Sequence, residues 1–527
     1  MKVVTAAQMS ALEQASERRG VSTDILMENA GRAVAEAARR MMGGAAAVPV
    51  LVLVGPGNNG ADGLVAARHL QRWGARVTAY VITSRPSNDP KMELARSYGV
   101  EVLHSTGDPD LSRLGQILGR SRLVIDAVLG TGRSRPLQGK IRAAMLRLED
   151  CRAPALRPLL LALDIPTGLD ADSGEVDPAC PVVDLTVTLG RLKAGLLTFP
   201  GADRVGKLEV ADIGLPSDLE EEKAIDLELL TPGWVRQRLP SRPLNSHKGT
   251  FGHALVVAGS RNYVGAAFLA SQAAIRAGAG LVTLATPYSV YTIAASKLTE
   301  VIHLPLPEDD EGCIHSDAAQ LIAANLQRYN ALLVGCGLGW SAGTADFLER
   351  LLLNGLVRGQ ATAVPTIIDA DGLNNLSRLS GWWQRLEGPV AVTPHPGEMA
   401  TLTGIPAFEL QRDRTGSARH WAARWNVTVV LKGAHTVIAE PGGMVRISPF
   451  SNPGLASGGT GDVLSGIIAG LMAQGLSPND ATCCGVYLHG RVAETVRERL
   501  GDTGMVASDL IQGLPETINR LRRGATR

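Results

Sequence analysis

The stretch that decides the fold is residues 452–475, NPGLASGGTGDVLSGIIAGLMAQG, in the second half of the chain. Apolar side chains recur at helical spacing across residues 463–471, which predicts a helix rather than a strand. Gly466 and Gly470 leave one face of this helix bare, so we expect another element to pack closely against it. The stretch therefore predicts a buried helix.

A glycine turn at residues 458–461 comes directly before this helix. The first N–H groups of a helix have no partner within it, and together with the helix dipole they favour phosphate or developing negative charge. Asp462 lies at the same helix start, where a carboxylate is most often a simple cap. Other parts of the sequence are needed to distinguish whether Asp462 is a helix cap or a functional group.

Composition limits the classes of function. A length of 527 residues predicts about three domains, or two large ones. Lys plus Arg (52) and Asp plus Glu (51) nearly cancel, so the charge indicates neither a nucleic-acid nor a membrane partner. The chain shows no secretory signal pattern and no apolar run of membrane-spanning length. Six cysteines without CxxC spacing indicate reduced thiols and a soluble cytoplasmic protein: Cys151, Cys180, Cys313, Cys336, Cys483 and Cys484.

The first half contains a second glycine turn, GPGNNGADG at residues 55–63, after an apolar strand at residues 48–54 and before a helix. It matches the GxGxxG pattern of dinucleotide-binding domains. A dehydrogenase should also carry an acid at the end of the next strand, but residues 77–83 run into Thr83-Ser84-Arg85. This argues against a hydride-transfer domain. Asn58, Asn59 and Asp62 are unusually polar for a turn, which indicates side chains that face a ligand.

Two further strands of the first half end in polar residues. Asp126 ends one, and Asp164 and Thr167 follow the other. Ligands collect at the carboxyl ends of parallel strands, so these three side chains and Asn59 are expected to converge on one crevice. Their amide, carboxylate and hydroxyl oxygens suit a hard cation. The alternative is that all four are turn and cap residues.

These segments resemble the YjeF N-terminal family, the NAD(P)H-hydrate epimerases, over about residues 1–215; the matching segments are 58–63, Asp126 with 130–132, 164–168 and 184–193. The resemblance implies a Rossmann-like α/β/α domain in which Asn59, Asp126 and Thr167 bind K⁺ and Asp164 is catalytic. It implies contacts to the hydrated nucleotide from Asn58, Asn59, Gly60, Ala61, Asp62, Gly130, Thr131, Gly132, Arg133, Ser134, Arg135, Pro136 and Asp164. Ala61 and Thr167 replace the glycine and serine usual in the family, and Ala61 would matter if its position needed a positive φ.

A polar, proline-marked break follows at residues 215–223, and it predicts domains at residues 1–220 and 228–524. The second half again alternates apolar strands with helices, and its strand ends are polar at residues 335–339, 369–372, 393–398 and 432–436. A lone His395 would more often be structural than a ligand contact. Lys432 offers a charge for phosphate, although a solvated surface lysine is the default expectation.

The second half resembles the ribokinase-like fold, and more closely the YjeF C-terminal family, the ADP- or ATP-dependent NAD(P)H-hydrate dehydratases. The matching segments are 265–267, 337–339, 393–398, 432–436, 458–462, 488–490 and 507–509. The resemblance implies a catalytic Asp462, with Mg²⁺ and ADP as cofactor and co-substrate. It implies hydrate contacts from Ala266, Gly337, Gly339, His395 and Asp462, and ADP or AMP contacts from Lys432, Gly433, Ala434, His435, Thr436 and Gly461.

The two resemblances concern successive steps on one metabolite. They imply a bifunctional enzyme that epimerises the R and S hydrates of NADH and NADPH and dehydrates the S form at the expense of ADP, giving AMP and phosphate. We expect small-molecule partners and a homo-oligomer. Two alternatives remain: a ribokinase-like small-molecule kinase, and an N-terminal half that only binds nucleotide or serves as a scaffold.

Overall fold

The computed structural model describes residues 1–86, 88–132, 136–151, 157–354 and 364–524. The chain splits into two compact units, Met1–Asp226 and Leu227–Arg527. Each unit has its own largely parallel sheet with helices packed on it. The prediction of two α/β domains is thereby confirmed.

The first unit alternates strands and helices along most of its length. Its strands are β1 Val3–Val4, β2 Pro49–Val54, β3 Arg76–Val81, β4 Glu101–His104, β5 Leu123–Ala127, β6 Leu159–Leu163, β7 Leu185–Leu189, β8 Leu192–Lys193 and β9 Lys207–Ala211. Its helices are α1 Ala6–Arg18, α2 Thr23–Met42, α3 Asn58–Arg72, α4 Pro90–Ser97, α5 Ser112–Leu118, α6 Gly139–Asp150 and α7 Glu220–Lys223.

The main sheet of the first unit is parallel, with the described strands in the order β4-β3-β2-β5-β6-β7-β9. The chain runs outward from β2 to β4 and then returns to β5 on the other side of β2. The loops after β2 and β5 therefore diverge at a topological switch point, where open α/β sheets bind ligands. Gly55 makes this geometry possible, because a Cβ there would lie 1.8 Å from the carbonyl oxygen of Val128.

Helix α3 begins earlier than the sequence pattern indicates. Gly57 is its N-cap, so Asn58, Asn59 and Asp62 lie in the first turns of the helix rather than in a loop. Ala61 is helical and is absent from the residues with positive φ. The replacement of glycine at position 61 therefore brings no backbone strain.

The second unit is larger and also alternates. Its strands are β10 Leu227–Leu229, β11 His253–Val257, β12 Leu281–Pro287, β13 Ile302–Leu306, β14 Ala331–Val334, β15 Thr366–Ile368, β16 Val390–Val392, β17 Thr428–Leu431, β18 Val437–Ala439 and β19 Val445–Ile447. Its helices are α8 Pro232–Arg238, α9 Val264–Arg276, α10 Tyr288–Ala295, α11 Ala318–Ala323, α12 Ala342–Leu348, α13 Asp371–Leu376, α14 Trp382–Arg385, α15 Pro396–Thr403, α16 Ala407–Arg412, α17 Arg414–Trp425, α18 Thr460–Ala473, α19 Pro478–Leu500 and α20 Ala507–Arg522.

The sheet of the second unit has the order β10-β19-β18-β17-β16-β15-β14-β11-β12-β13 among the strands that the structure describes. All neighbours are parallel except β18, which is antiparallel to β17 and β19. The strand order again reverses beside the first long strand, between β11 and β14. The ends of β11, β14, β15, β16 and β17 consequently meet along one edge.

Helix α18 is the buried helix predicted from residues 452–475. Twelve of its fourteen residues are buried, and its bare face packs on α9. A Cβ added at Gly466 would lie 2.2 Å from the carbonyl oxygen of Ala270, and one added at Gly470 would lie 2.5 Å from that of Ala274. The glycines therefore let two helix backbones touch.

No helix within the described ranges combines the length and the apolar character needed to cross a bilayer.

Gly466→Ala should destabilise the second unit by about 1–3 kcal/mol, because overpacking a tight contact forces backbone shifts. Tryptophan fluorescence in urea is a suitable measurement, since six of the seven tryptophans follow residue 226. Gly442→Ala is the matched control, because a Cβ there would meet nothing within 4 Å. Equal urea midpoints for the two variants would contradict the close helix contact.

Candidate active sites

A cavity of about 620 Å³ lies at the switch point of the first unit. Helices α1 and α2, the start of α3, the loop after β5 and the end of β6 contribute to its walls. Seven of the site residues predicted from sequence line it: Asn58, Asn59, Asp62, Gly130, Thr131, Gly132 and Asp164. Of the four side chains that were expected to converge on one crevice, Asn59 and Asp164 line this cavity, whereas Asp126 and Thr167 do not.

Three of the other predicted residues of this site, Gly60, Ala61 and Pro136, do not line the cavity. Gly60 and Ala61 are buried in the first turns of α3, and Pro136 is exposed. Arg133, Ser134 and Arg135 lie outside the described residues.

Asp164 is held in an unusual conformation by several donors. Its φ is +69°, in the left-handed region that aspartate tolerates better than most residues. Its Oδ1 accepts hydrogen bonds from Thr188 Oγ1 at 3.1 Å and from the Leu189 N–H at 3.0 Å. The ammonium of Lys193 lies 2.5 Å from the same oxygen, and this lysine is 1% exposed. A buried ion pair with Lys193 thus holds the side chain of Asp164 in place.

Asp62 shares the cavity with Asp164 but not its partners. The carboxyl is 7% exposed, and its Oδ1 has no hydrogen-bond partner among the described residues. Burial, the charge of Asp164 and the charge of Glu13 together raise the pKa of Asp62 well above its ordinary value. Asp62 therefore holds its proton more tightly than an ordinary aspartate does, whereas Asp164 faces the ammonium of Lys193.

Behind the cavity wall, Asp126 and Thr167 form a fully buried pair. Thr167 donates its hydroxyl to Asp126 Oδ1 at 2.7 Å and its N–H to Oδ2 at 2.8 Å. Asn59 lies beside the loop after β5, because a Cβ added at Gly130 would be 3.1 Å from Asn59 Oδ1. In the same loop, the N–H of Leu129 donates to Thr167 Oγ1 at 3.0 Å. The Asn59 Nδ2 atom is buried without a partner among the described residues.

The chemistry of these three side chains fits a cation. The hydrogen-bond partners of Asp126 are the neutral groups of Thr167 and the N–H of Val128. Burial raises the pKa of Asp126, because a buried carboxylate without a nearby positive charge is costly. A bound cation would supply that charge. Neutral amide and hydroxyl oxygens beside a single carboxylate suit a weakly hydrated monovalent ion better than a divalent one.

In the second unit, three groups from different elements meet at the edge of the sheet. Cys336 follows β14, Asp369 follows β15, and Asp462 lies in the first turn of α18. Their Sγ and carboxylate oxygen atoms lie within 4.8 Å of one another. Ser465, one turn along α18, donates its hydroxyl to Asp369 Oδ2 at 2.7 Å. The packing of α18 thus brings Asp462 to the strand ends.

Lys432 is not a solvated surface lysine. Its Nζ lies 2.7 Å from Asp369 Oδ1 and 3.5 Å from Glu398 Oε2, and its side chain is 17% exposed. Burial alone would lower the pKa of Lys432, but the two carboxylates outweigh it and hold the pKa above its ordinary value. Lys432 is therefore a permanent positive charge inside the site.

Asp462 is the titratable carboxylate of this cluster. Burial, followed by the charge of Asp369, raises its pKa to about 6, which is close to the working range of a general base at neutral pH. The glycine turn lies beside Lys432, since a Cβ at Gly461 would be 3.5 Å from Lys432 Nζ. A carboxylate base, helix N–H groups and a lysine ammonium therefore occupy one small region.

Backbone contacts place the predicted hydrate-binding residues of this unit. A Cβ at Gly337 would lie 2.8 Å from that of Ala266, so the two residues are adjacent. The N–H of Gly339 donates to Asp371 Oδ2 at 3.0 Å, and its carbonyl oxygen accepts from Asn375 Nδ2 at 2.9 Å. The loop after β14 is thereby fixed against α9 and α13.

His395 caps α15 and faces solvent. Its Nδ1 accepts from the N–H groups of Gly397 at 3.0 Å and Glu398 at 3.2 Å, and the side chain is 56% exposed. The backbone N–H of His395 donates to Glu398 Oε2 at 2.7 Å. This is the same oxygen that faces Lys432, so His395 is joined to the charged cluster through Glu398.

The predicted nucleotide segment after Lys432 is a tight turn. Gly433 has a φ of +144° and His435 a φ of +50°. Thr436 donates its hydroxyl to the carbonyl oxygen of Gly433 at 2.8 Å, and Gly433 and Ala434 are exposed. Burial lowers the pKa of His435, which keeps its imidazole neutral.

Several side chains of the two clusters were missing from the sequence-predicted set, among them Asp369, Glu398, Lys193 and Glu13. Asp369 and Glu398 were visible as polar residues at strand ends, but their contact with Lys432 depends on the fold. Lys193 lies within the segment that resembles the epimerase family, and no local pattern links it to Asp164. Glu13 lines the cavity from α1, where a lone glutamate has no distinguishing sequence signal.

Comparisons with known proteins agree on both halves. A family model described as YjeF-related protein N-terminus matches residues 23–195, and one described as NAD(P)H-hydrate dehydratase matches residues 254–516. The chain is similar to the bifunctional NAD(P)H-hydrate repair enzyme Nnr of Moorella thermoacetica, with 39% identity over 99% of this chain and 97% of that protein. The enzyme of the same description from Thermofilum pendens is 35% identical, again over 99% of this chain and 97% of that protein.

Among solved structures, the chain is similar to an ADP/ATP-dependent NAD(P)H-hydrate dehydratase from Bacillus subtilis that was co-crystallised with ATP and Mg²⁺. The identity is 35%, the match covers 56% of this chain and 100% of that one, and the TM-score is 0.49.

Lys193→Met should destabilise the first unit by about 3–5 kcal/mol, because it leaves the buried charge of Asp164 without its partner. Denaturation followed by far-UV circular dichroism would measure the loss. Lys207→Met is the matched control, since Lys207 is 74% exposed in its ion pair and such pairs contribute about 0–1 kcal/mol. A loss no larger than the control's would contradict a stabilising role for the buried pair of Lys193 and Asp164.

Proposed function

The chain belongs to the family of bifunctional NAD(P)H-hydrate repair enzymes, and from this premise we propose how its residues divide the work. The chain is an epimerase and dehydratase of hydrated NADH and NADPH. We assign epimerisation of the R and S hydrates to residues 1–220 and dehydration of the S hydrate to residues 228–524. The two compact units, each with its own polar cluster at the strand ends, support this division.

The observation that carries the dehydratase assignment is the position of Asp462, at the start of a buried helix beside Lys432. Asp462 takes the proton of the C6 hydroxyl as the hydroxyl oxygen attacks the terminal phosphorus of ADP, and AMP leaves. The phosphate ester then loses phosphate from C6 and a proton from C5, which restores the C5=C6 double bond. The Gly459–Gly461 turn offers N–H groups to the transferring phosphoryl group.

ADP would be held by the turn from Lys432 to Thr436 and by Gly461, while Ala266, Gly337, Gly339 and His395 contact the hydrate. Three carboxylates, Asp369, Glu398 and Asp462, face the single ammonium of Lys432. This excess of negative charge fits Mg²⁺, which prefers oxygen ligands and phosphates. Asp369 and Glu398 would hold it, and it would neutralise charge on the phosphates. Nothing in these residues separates ADP from ATP.

In the first unit, Asp164 acts as the acid or base at C6 and the cavity wall around Asn58, Asp62 and residues 130–132 binds the nucleotide. Asn59, Asp126 and Thr167 would bind K⁺. The support is the buried Asp126, whose hydrogen-bond partners among the described residues are all neutral. K⁺ would then supply a positive charge for the nucleotide phosphates.

Two further features of the molecule complete the proposal. We place the enzyme in the cytoplasm, with support from six free cysteine thiols, which are typical of reducing compartments. We also expect a homo-oligomer. The support is three exposed apolar side chains on the edge strand β13 and on helix α10, namely Tyr288, Ile293 and Ile302.

A small-molecule kinase would leave a phosphate ester instead of reduced cofactor. Incubation of the chain with hydrated NADH and ADP distinguishes the two functions, because only dehydration restores the absorbance of the dihydronicotinamide ring. An accumulating phosphorylated hydrate with no gain in absorbance would favour the kinase.

Asp462→Asn should lower nucleotide-dependent dehydration of the S hydrate by about three to four decades, because the variant keeps the size of the side chain and loses the base. In the parent enzyme the dehydration rate should fall as the pH drops through about 6, where Asp462 takes up its proton. The measurement is kcat against pH with ADP and the S hydrate.

R/S exchange by Asp462→Asn is the control for this substitution, and we expect it to be unchanged. Equal loss of both activities would contradict two separate sites. If the variant showed the same fall in dehydration rate at low pH as the parent enzyme, Asp462 would not be the base.

Asp126→Ala should weaken K⁺ and hydrate binding together, whereas Asp164→Ala should leave binding largely intact and stop epimerisation. The assay mixes pure R hydrate with an excess of S-specific dehydratase and follows the return of reduced cofactor. If Asp164→Ala converts R as fast as the parent after spontaneous epimerisation is subtracted, its catalytic assignment is wrong. If K⁺ affinity survives Asp126→Ala, the cation lies elsewhere.

A further inference from the structure

We propose that Asp62 is the general acid of the epimerisation centre and works opposite Asp164, the base, so that the hydrates interconvert through an open-chain aldehyde. This inference rests on the epimerase function assigned above to residues 1–220. It gives a proton-transfer role to a residue that had so far been only part of the nucleotide-binding wall.

The geometry of the cavity carries the proposal. Asp62 and Asp164 line the same cavity from different elements, the first turns of α3 and the end of β6. Asp62 is 7% exposed, and its Oδ1 is buried with no hydrogen-bond partner among the described residues. A buried polar atom without a partner is rare in proteins and requires a reason. A substrate atom that receives its proton supplies one.

The two carboxyls differ in the groups that surround them. Asp164 Oδ1 faces the ammonium of Lys193 and accepts two further hydrogen bonds. The charged groups that act on Asp62 are Asp164, Glu13, Lys91 and Lys193, and burial with the two carboxylates outweighs the two lysines and raises its pKa. Asp164 thus lies in an ion pair, whereas the pKa of Asp62 is raised, and two carboxyls in environments that differ in this way are the arrangement of an acid–base pair.

Glu13 is the competing candidate for the acid, because it also lines the cavity. Glu13 lies on α1 and is an exposed residue, although burial of its carboxyl also raises its pKa. Asp62 is more deeply buried, at 7% exposure, and its Oδ1 has no partner among the described residues. The structure therefore favours Asp62 as the donor and leaves Glu13 as a charge that acts on it.

The reaction balances with these two carboxyls alone. Asp164 takes the proton of the C6 hydroxyl, the O–H electron pair forms the C6=O bond, and the C6–N1 bond breaks. Asp62 gives its proton to N1, whose electron pair is conjugated with the carboxamide through C2=C3. Rotation about C5–C6 then presents the other face of the aldehyde. N1 attacks that face and returns its proton to Asp62, while Asp164 protonates the oxygen, so both carboxyls end as they began.

Asp62→Asn in the full-length chain tests the proposal, because the amide keeps the size and lacks the acidic proton. We expect kcat for R-to-S conversion to fall at least about 100-fold, as for the loss of a general acid, with KM changed less than about threefold. Dehydration of pure S hydrate by the same preparation should match the parent and shows that the chain is folded. Glu17→Gln, an exposed carboxyl one turn beyond Glu13 on α1, should leave both activities unchanged.

The pH profile separates proton transfer from a structural role. The parent epimerase should lose activity at alkaline pH as Asp62 ionises. This alkaline limb of the pH profile should be absent in Asp62→Asn. Glu13→Gln removes a charge that raises the pKa of Asp62, so it should move the alkaline limb to lower pH. An Asp62→Asn epimerase with parental kcat, or one that retains the limb, overturns the proposal. So does a Glu13→Gln variant that loses kcat and the limb while Asp62→Asn keeps them.

Failure of this inference differs from failure of the epimerase assignment. If the parent chain does not accelerate R-to-S conversion over the spontaneous rate, the assigned function fails. If the parent accelerates it, Asp164→Ala abolishes it and Asp62→Asn keeps it, only the role of Asp62 fails.

Discussion

The direct contact between α18 and α9 is the interaction on which the second site depends. Gly466 and Gly470 bring the backbone of α18 onto carbonyl oxygens of α9, so no side chain can rearrange between the two helices. The start of α18 is consequently fixed over the strand ends. Asp462 and Ser465, which extend from that start, meet Asp369 from a rigid support. The helix contact at Gly466 and Gly470 thus sets the distance between Asp462, the proposed base, and the charged groups that shift its pKa.

Both units place a lysine beside one carboxylate and leave a second carboxylate without one. Lys193 pairs with Asp164, and Lys432 with Asp369. The neighbours that lack an equivalent partner, Asp62 and Asp462, have raised pKa values. Burial is the largest cause of both shifts. Two sheets with different strand orders thus share one arrangement, in which one carboxyl forms an ion pair with a lysine and a second carboxyl has a raised pKa.

Much of the fold could be predicted from sequence because it depends on local patterns. Apolar strands that end in glycine and polar residues predicted two α/β units, and the spacing after residue 462 predicted α18. The start of α3 could not be predicted as well, because Asn58 and Asn59 are typical of turns. The structure shows that Gly57 is the N-cap and that both asparagines are already helical. The left-handed backbone conformation of Asp164 could not be predicted, because this position carries no glycine.

The candidate sites were predictable only in part, for a different reason. Parallel strands end at one edge, so polar residues at strand ends could be grouped before the structure was known. Which of them pair could not be inferred, because Lys432 reaches Asp369 across 63 residues and Lys193 reaches Asp164 across 29. Glu13 was beyond sequence reasoning, since a helix outside the sheet carries it into the cavity.

The ion pairs of Lys432 have a consequence for ligand exchange. The ammonium already holds Glu398 at 3.5 Å, so an incoming phosphate meets an anion that belongs to the protein itself. Glu398 and Asp369 share the ammonium of Lys432 before any phosphate binds. A phosphate that contacts Lys432 must compete with these carboxylates, so the affinity of the site for a nucleotide depends on the position of Glu398 as well as on the charge of Lys432.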